Sequence, residues 1–171
     1  MPEEINRRLT NHLAKHLFTT TRNANENLER EGIPPERVSF VGNTMIDTLL
    51  RFREAAARRE TPAKFGVGNR DYAVLTLHRP TNVDDHATLA RVLDAVRLIS
   101  SSAPVIFPGH PRTRSQLAGH ALEPALTVDT GVVLCEPLGY LDFIGLIGEA
   151  KVVLTDSGGI QEEPRCSASR A

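Results

Sequence analysis

From residue 72 onward, short runs rich in valine, leucine and isoleucine alternate with segments of helical periodicity. The runs are YAVLTLH, APVIFPGH, GVVLCEP and VVLTDSGG, and the segments between them are HATLARVLDAVRLISS, PRTRSQLAGH and YLDFIGLIGEAK. Strands that are apolar along their whole length and are joined by helices are typical of a parallel sheet covered on both faces. The pattern predicts a doubly wound α/β domain from about residue 42 to the end of the chain.

The first part of the chain is less regular. Leu9, Leu13 and Leu17 have helical spacing, a short β-rich run follows at residues 18–21, and RNANENLEREGI is helical in composition. After Gly32 and the turn sequence IPPER, the sequence predicts a strand in RVSFVGN and a long helix in TMIDTLLRFREAAARR, and residues 61–70 are predicted to form a polar loop.

Composition favours a globular protein with local binding sites. The 171 residues carry a formal net charge of −1, so neither nucleic acid nor an acidic tail is indicated. Cys135 and Cys166 have no disulfide or metal-ligand spacing. The start is charged, and no run approaches the roughly 18 apolar residues of a membrane span. We therefore expect a cytoplasmic protein that binds neither nucleic acid nor a membrane.

Polar residues follow each predicted strand, where ligands bind in open parallel sheets. His78 and Arg79 follow the first of these strands, and His110 with Arg112 follows the next. A His–Arg pair at a strand end can hold a diphosphate by charge-assisted hydrogen bonds. The alternative for each histidine alone is an ordinary surface position. Their recurrence at neighbouring strand ends favours a shared anion site.

The last strand leads into a glycine-rich sequence, DSGG, at residues 156–159. Ser157, Gly158 and Gly159 can offer free backbone N–H groups to a phosphate, with glycine permitting close approach. Ser157 is equally suited to capping a helix. Glu163, in the predicted first turn beyond this sequence, either complements the helix dipole or binds the two hydroxyls of a ribose.

Six motifs in order, PEEINR, GNTMID, TLHRPTNVDD, FPGHPRTR, EPLGYLDF and LTDSGGIQEE, carry a family resemblance. Over residues 2–163 the sequence resembles the non-hydrolysing bacterial UDP-N-acetylglucosamine 2-epimerases. The resemblance implies a GT-B-like fold with two Rossmann-like domains. Residues 1–41 would be the end of the N-terminal domain and the crossing segment, and residues 42–163 a truncated UDP-binding domain.

The resemblance also implies ligands and roles. Family enzymes interconvert UDP-GlcNAc and UDP-ManNAc by eliminating UDP with loss of the C2 proton and adding it back. Full-length relatives are expected to be homodimers, and no cofactor or metal is implied. The catalytic residues would be Glu3 and His78. The residues that bind UDP-GlcNAc or UDP would be Arg79, His110, Phe143, Ser157, Gly158, Gly159 and Glu163.

Departures from the family pattern leave alternatives open. The family's Gly-Asp turn and His-Val-Glu motif are missing, so apolar faces of the first domain should lack a cover. A one-base slip in a GC-rich coding of ATVLGVPC reproduces residues 164–171, which suggests a frameshifted tail. We expect no epimerase activity from this chain alone. The alternatives are a hydrolysing epimerase or GT-B glycosyltransferase relative, or a non-catalytic UDP-sugar-binding remnant.

Overall fold

The computed structural model describes residues 2–123, 126 and 128–158. The chain divides into two compact units, the first ending at Thr48 and the second beginning at Leu49. This division falls inside a helix, α3 (Thr44–Ala57), rather than in the segment before it. The limits 1–41, 42–163 and 164–171, which rest on the resemblance, stay predictions.

The first unit contains two helices and two strands before α3. These elements are α1 (Pro2–Leu13), β1 (Leu17–Thr19), α2 (Arg22–Arg30) and β2 (Val38–Phe40). The strands pair in parallel with Leu17 opposite Val38, so Leu17 belongs to β1 and does not continue the leucine face of α1. The side chain of Thr21 caps α2 by accepting from the Ala24 N–H, and Gly32, with φ +81°, follows its end.

The first unit has a small core. Among its described residues the buried apolar side chains are Leu28 and Ile33. By contrast Ile5, Leu9 and Leu13 on α1 are 62%, 58% and 86% exposed. The sequence predicts an exposed apolar helix face, and these three side chains of α1 are exposed.

The second unit is built on a parallel sheet. Its strands are β3 (Ala73–Thr76), β4 (Val105–Pro108), β5 (Val132–Cys135) and β6 (Val152–Thr155), in the order β5-β4-β3-β6. Every pairing between neighbours is parallel. The helices are α4 (Thr61–Lys64), α5 (Pro80–Val83), α6 (His86–Ser100), α7 (Pro111–Gly119) and α8 (Tyr140–Glu149). The helix α4, which starts next to Pro62, lies in a segment predicted to be loop throughout.

Side chains alternate between the two faces of this sheet, and both faces are buried. On one face Leu75 and Phe107 pack in a cluster with Leu89 of α6 and Leu117 of α7. On the other face lies a second cluster, which contains Tyr72, Val74, Ile106, Leu146 and Ile147. Strands buried on both faces explain the continuous apolar runs in the sequence. The predicted doubly wound α/β architecture is confirmed.

The order of the strands defines where the chain reverses direction across the sheet. From β3 the chain moves outward to β4 and then β5, and it returns to place β6 on the other side of β3. The carboxyl ends of β3 and β6 therefore lie side by side at a topological switch point. In open α/β sheets, ligands bind in the crevice at such a point.

Candidate functional site

The ends of β3 and β6 are joined by side chains. Thr76 and Thr155 are register partners, and their hydroxyl oxygens lie 2.7 Å apart. Beyond them the chain continues as Leu77-His78-Arg79 after β3 and as Asp156-Ser157-Gly158 after β6. Because the strands are parallel, both loops leave the same edge of the sheet. The predicted site residues of these two loops are thereby brought together.

Asp156 organises the loop after β3. Its Oδ2 accepts from the Arg79 N–H at 2.9 Å, the His78 N–H at 3.1 Å and the Asn82 side-chain amide at 3.0 Å. Its Oδ1 lies 2.7 Å from Nδ1 of His78. The Asp156 side chain is only 8% exposed, whereas that of His78 is 42% exposed. A buried carboxylate thus holds a histidine ring that remains open to solvent.

The protonation state of Asp156 follows from these contacts. Burial by itself would raise the pKa of this carboxyl, but the hydrogen bonds from the Arg79 N–H, the Asn82 amide and the His78 N–H outweigh it. The pKa of Asp156 therefore lies below its ordinary value. Asp156 is a carboxylate at neutral pH, able only to accept hydrogen bonds.

His110 lies beside His78 on the same rim. Their ring centroids are 6.2 Å apart with the planes tilted by 53°. His110 is the N-cap of α7, and its Nδ1 accepts from the Arg112 N–H at 3.3 Å. Two imidazoles from the ends of neighbouring strands therefore face one region. This is the arrangement that the recurrence of histidine at strand ends predicted.

Arg112, which the sequence associates with His110, forms an ion pair with Asp84 instead. Its Nε donates to Oδ1 of Asp84 at 2.9 Å, and a second guanidinium nitrogen contacts Oδ2, so the pair is bidentate. The hydrogen bond from Arg112 lowers the pKa of Asp84. Arg79 is exposed, and within the described part of the chain its guanidinium has no ion-pair partner. Arg79 is thus better suited than Arg112 to meet an anion.

The loop after β6 is described as far as Gly158. The Ser157 N–H donates to Oγ1 of Thr155 at 3.0 Å. A Cβ added to Gly158 would meet no described atom within 4 Å. Gly159 and Glu163 lie outside the described residues, as does the segment 164–171. Their predicted roles stay predictions.

Phe143 lies in the first turn of α8, after the end of β5. Its side chain is partly buried against the cluster that contains Tyr72 and Leu146. Next to it, Asp142 accepts from Arg59 at 2.7 Å, Lys64 at 2.8 Å and Thr61 at 3.0 Å, which fastens α8 to the segment around α4. Phe143 is therefore carried by a firmly attached helix.

Glu3 belongs to the first unit, in the first turn of α1, and is exposed. Its predicted catalytic role stays a prediction.

Among residues 2–123, 126 and 128–158, no group of three or more His, Cys, Asp or Glu has an arrangement that could hold a metal ion. In that same part of the chain no helix has the length and apolar character needed to cross a membrane.

The sequence did not identify the contribution of Asp156 and Asn82. Local pattern places Asp156 only in a glycine-rich turn, because it does not show which strand lies next to β6. The available signal was an acidic residue directly after a strand, on the edge where a histidine follows another strand. That signal becomes specific only when the strand order is known.

Comparison with known proteins relates the chain to a family of sugar-nucleotide isomerases. Residues 1–168 match the family model described as UDP-N-acetylglucosamine 2-epimerase. The chain is 39% identical to the UDP-N-acetylglucosamine 2-epimerase of Methanococcus maripaludis and 40% identical to that of Methanocaldococcus jannaschii, over 168 residues in each case. Each alignment covers 95% of this chain and 46% of the relative, so the chain spans about half the length of these relatives.

A solved structure is similar over nearly the whole chain. The crystal structure of Methanocaldococcus jannaschii UDP-GlcNAc 2-epimerase in complex with UDP-GlcNAc and UDP matches with a TM-score of 0.83 and 39% sequence identity. The match covers 98% of this chain and 47% of that chain. Together with the parallel sheets, this likeness confirms the predicted GT-B-like α/β fold class.

Proposed function

The chain belongs to the UDP-N-acetylglucosamine 2-epimerase family, and we propose that its second unit is the UDP-binding part of an enzyme that interconverts UDP-GlcNAc and UDP-ManNAc. The observation that carries this proposal is the rim at the switch point of the sheet. There His78, oriented by Asp156, lies beside His110, and the Ser157-Gly158 backbone follows β6 on the same edge.

The rim suits a diphosphate leaving group. In the proposed reaction the bond from the sugar C1 to UDP breaks as the C2 proton is removed, so negative charge grows on the diphosphate. Hydrogen-bond donors and cations fixed in advance at that position stabilise the charge without having to reorganise. We assign this task to His78 and Arg79, with backbone N–H groups that follow Ser157 as further donors, since the Ser157 N–H itself is bonded to Thr155.

The other predicted site residues would contact the remaining parts of the substrate or move its C2 proton. Phe143, on the helix after β5, would line the uracil pocket, as the family resemblance implies. His110 would add a donor next to His78. Gly159 and Glu163 would complete the phosphate and ribose contacts. Glu3, in the first unit, would be one of the carboxylates that move the C2 proton.

UDP titration of the purified chain tests the proposal. We expect UDP to bind more tightly than uridine, since the rim addresses the diphosphate. His78→Ala and Arg79→Ala should each weaken UDP affinity about 10-fold or more, as is typical for hydrogen bonds to charged groups. His12→Ala and Arg53→Ala, which remove exposed residues of α1 and α3, are the matched controls. Equal affinity for UDP and uridine would contradict the assignment.

A further inference from the structure

We propose that Asp156 is a positioning residue that fixes the tautomer of His78, keeping a proton on Nδ1 and turning Nε2 towards the ligand. The inference deepens the proposed function and rests on it, because it concerns the histidine assigned to the diphosphate. Asp156 itself would not touch UDP. Its side chain lies beneath the loop after β3 and is almost completely buried.

The contacts of Asp156 dictate the tautomer. Oδ1 lies 2.7 Å from Nδ1 of His78, and an ionised carboxylate has no proton to donate. Nδ1 must therefore carry the hydrogen in this contact. Oδ2 is occupied by the N–H of Arg79 and the amide of Asn82, so the carboxylate cannot rotate without breaking those bonds. Both carboxylate oxygens of Asp156 are thus held by hydrogen bonds.

The tautomer of His78 determines which ring nitrogen can take up a further proton when the ligand binds. With a proton held on Nδ1, any second proton on the imidazole must lie on Nε2. When an anionic diphosphate arrives, the ring can take a proton from solvent at Nε2 and donate that N–H to a phosphate oxygen. The positive charge formed is balanced by the Asp156 carboxylate, which keeps its own negative charge throughout. In the opposite tautomer Nε2 would also carry a hydrogen, but Nδ1 would have none to donate to Asp156, so the ring would meet the phosphate as a neutral group without the charge that the carboxylate balances.

A merely structural role for Asp156 makes different predictions. If the carboxylate served only to join the loop after β3 to β6, an isosteric amide that preserved most of its bonds would leave the affinity for UDP unchanged. Asp156→Asn is such a variant. Its amide oxygen can replace Oδ2 and accept from Arg79 and Asn82. Its NH2 group then replaces Oδ1 and donates to Nδ1, which forces the hydrogen of a neutral His78 onto Nε2.

The test is to determine the His78 tautomer by long-range ¹H–¹⁵N correlation NMR above pH 8, with His78→Gln assigning the signal. We expect the Nδ1–H form in the unaltered chain and the Nε2–H form in Asp156→Asn. Asp84→Asn, on the same rim but paired with Arg112, should leave the tautomer unchanged. An Nε2–H tautomer in the unaltered chain would overturn the proposal without requiring any variant to fold.

UDP titration separates this inference from the proposed function. Asp156→Asn should weaken UDP affinity about 10-fold, because a neutral ring replaces the imidazolium that the carboxylate balances and a charge-assisted hydrogen bond becomes a neutral one. Asn82→Ser, which removes a donor to Asp156 but leaves its contact with His78, should retain both the Nδ1–H tautomer and most of the affinity. If the tautomer changes in Asp156→Asn while UDP binds equally well, the positioning role is wrong. If no form binds UDP, the proposed function fails and the tautomer assignment stands.

Discussion

The two units use similar elements but differ in how much they bury. Both contain parallel strands joined through helices. In the second unit Val74, Ile106 and Phe107 are 0% exposed, and helices cover both faces of the sheet. In the first unit Phe18 on β1 is 69% exposed and α1 presents an apolar face. Parallel pairing of strands is therefore not sufficient for a stable unit, because stability also depends on covering both faces of the sheet.

The difference also explains the location of the candidate site. The loops that carry His78 and Asp156 are extensions of strands whose flanking side chains are buried. A rigid scaffold of this kind fixes the 2.7 Å contact between the two side chains. Glu3, on an exposed helix of the first unit, has no comparable described support. The second unit should accordingly determine the unfolding behaviour of the chain.

The largest effect is expected from comparing the same substitution in the two units. Phe107→Ala removes a fully buried ring from the centre of β4 and should lower the free energy of unfolding by about 3–5 kcal/mol. Phe18→Ala, also on a strand but exposed, should change it by no more than about 0.5 kcal/mol. Urea denaturation followed by circular dichroism measures both. Comparable losses would show that the first unit is packed as tightly as the second.

Hydrogen exchange should reveal the same contrast in the unaltered chain. Backbone amides open locally with free energies between zero and the global value, and the highest values belong to buried strands. We expect amides of β3 and β4 to exchange on the order of 100-fold more slowly than those of β1. Mass spectrometry of peptic fragments provides the measurement. Equal protection in β1 and β3 would mean that the two units unfold together.

Much of the second unit could be predicted from the sequence. The continuous apolar runs lie on β3 to β6, because strands buried on both faces leave no alternating polar positions. The helix α4 was missed because a helix of four residues is too short to show periodicity. Leu17 was grouped with the leucines of α1, although it begins β1 and pairs with Val38. The spacing of the leucines alone could not show that α1 ends at Leu13.

The candidate site was predicted in part. Placing His78, His110 and Ser157 at strand ends required only the rule that parallel strands share a carboxyl edge. The contact between His78 and Asp156, which are 78 positions apart, required the strand order, in which β6 pairs with β3. The sequence groups Arg112 with the anion site, since nothing in the local pattern indicates its pairing with Asp84, which lies 28 residues away. Long-range pairing of this kind leaves no local signal.

An intermediate loss of stability is expected from a substitution at the point where α8 approaches α3. A Cβ on Gly145 would lie 2.9 Å from the backbone oxygen of Ala56, which cannot move aside as a flexible side chain could. Gly145→Ala should therefore destabilise the second unit by about 1–3 kcal/mol, the usual cost of overpacking. Gly148 lies on the same helix, and a Cβ there would meet no described atom within 4 Å.

Gly148→Ala is thus the matched control, and it should leave stability unchanged or raise it by about 0.5–1 kcal/mol because alanine favours the helix. Thermal unfolding of the two variants under identical conditions provides the comparison. If Gly145→Ala were as stable as Gly148→Ala, the close approach of α3 and α8 would be wrong.

The smallest effect should come from the charged cluster around Asp142, and it should depend on pH. The hydrogen bond from Arg59, followed by those from Lys64 and Thr61, holds the pKa of Asp142 well below its usual range. A carboxyl with a lowered pKa in the folded state adds stability above the pKa of the unfolded chain, which is about 4, and loses that contribution as pH falls towards the folded value. Asp142→Asn should therefore lower the melting temperature at pH 7.

The difference between Asp142→Asn and the unaltered chain should shrink below about pH 4, where the carboxyl of the unaltered chain begins to lose its charge advantage. Because the side chains of Arg59 and Lys64 are 45% and 53% exposed, added salt should weaken the effect as well. Asp71→Asn, which removes an exposed pair with Lys151, is the control and should show little change at either pH. A constant difference from pH 7 to pH 3 would show that Asp142 stabilises α8 through its shape rather than its charge.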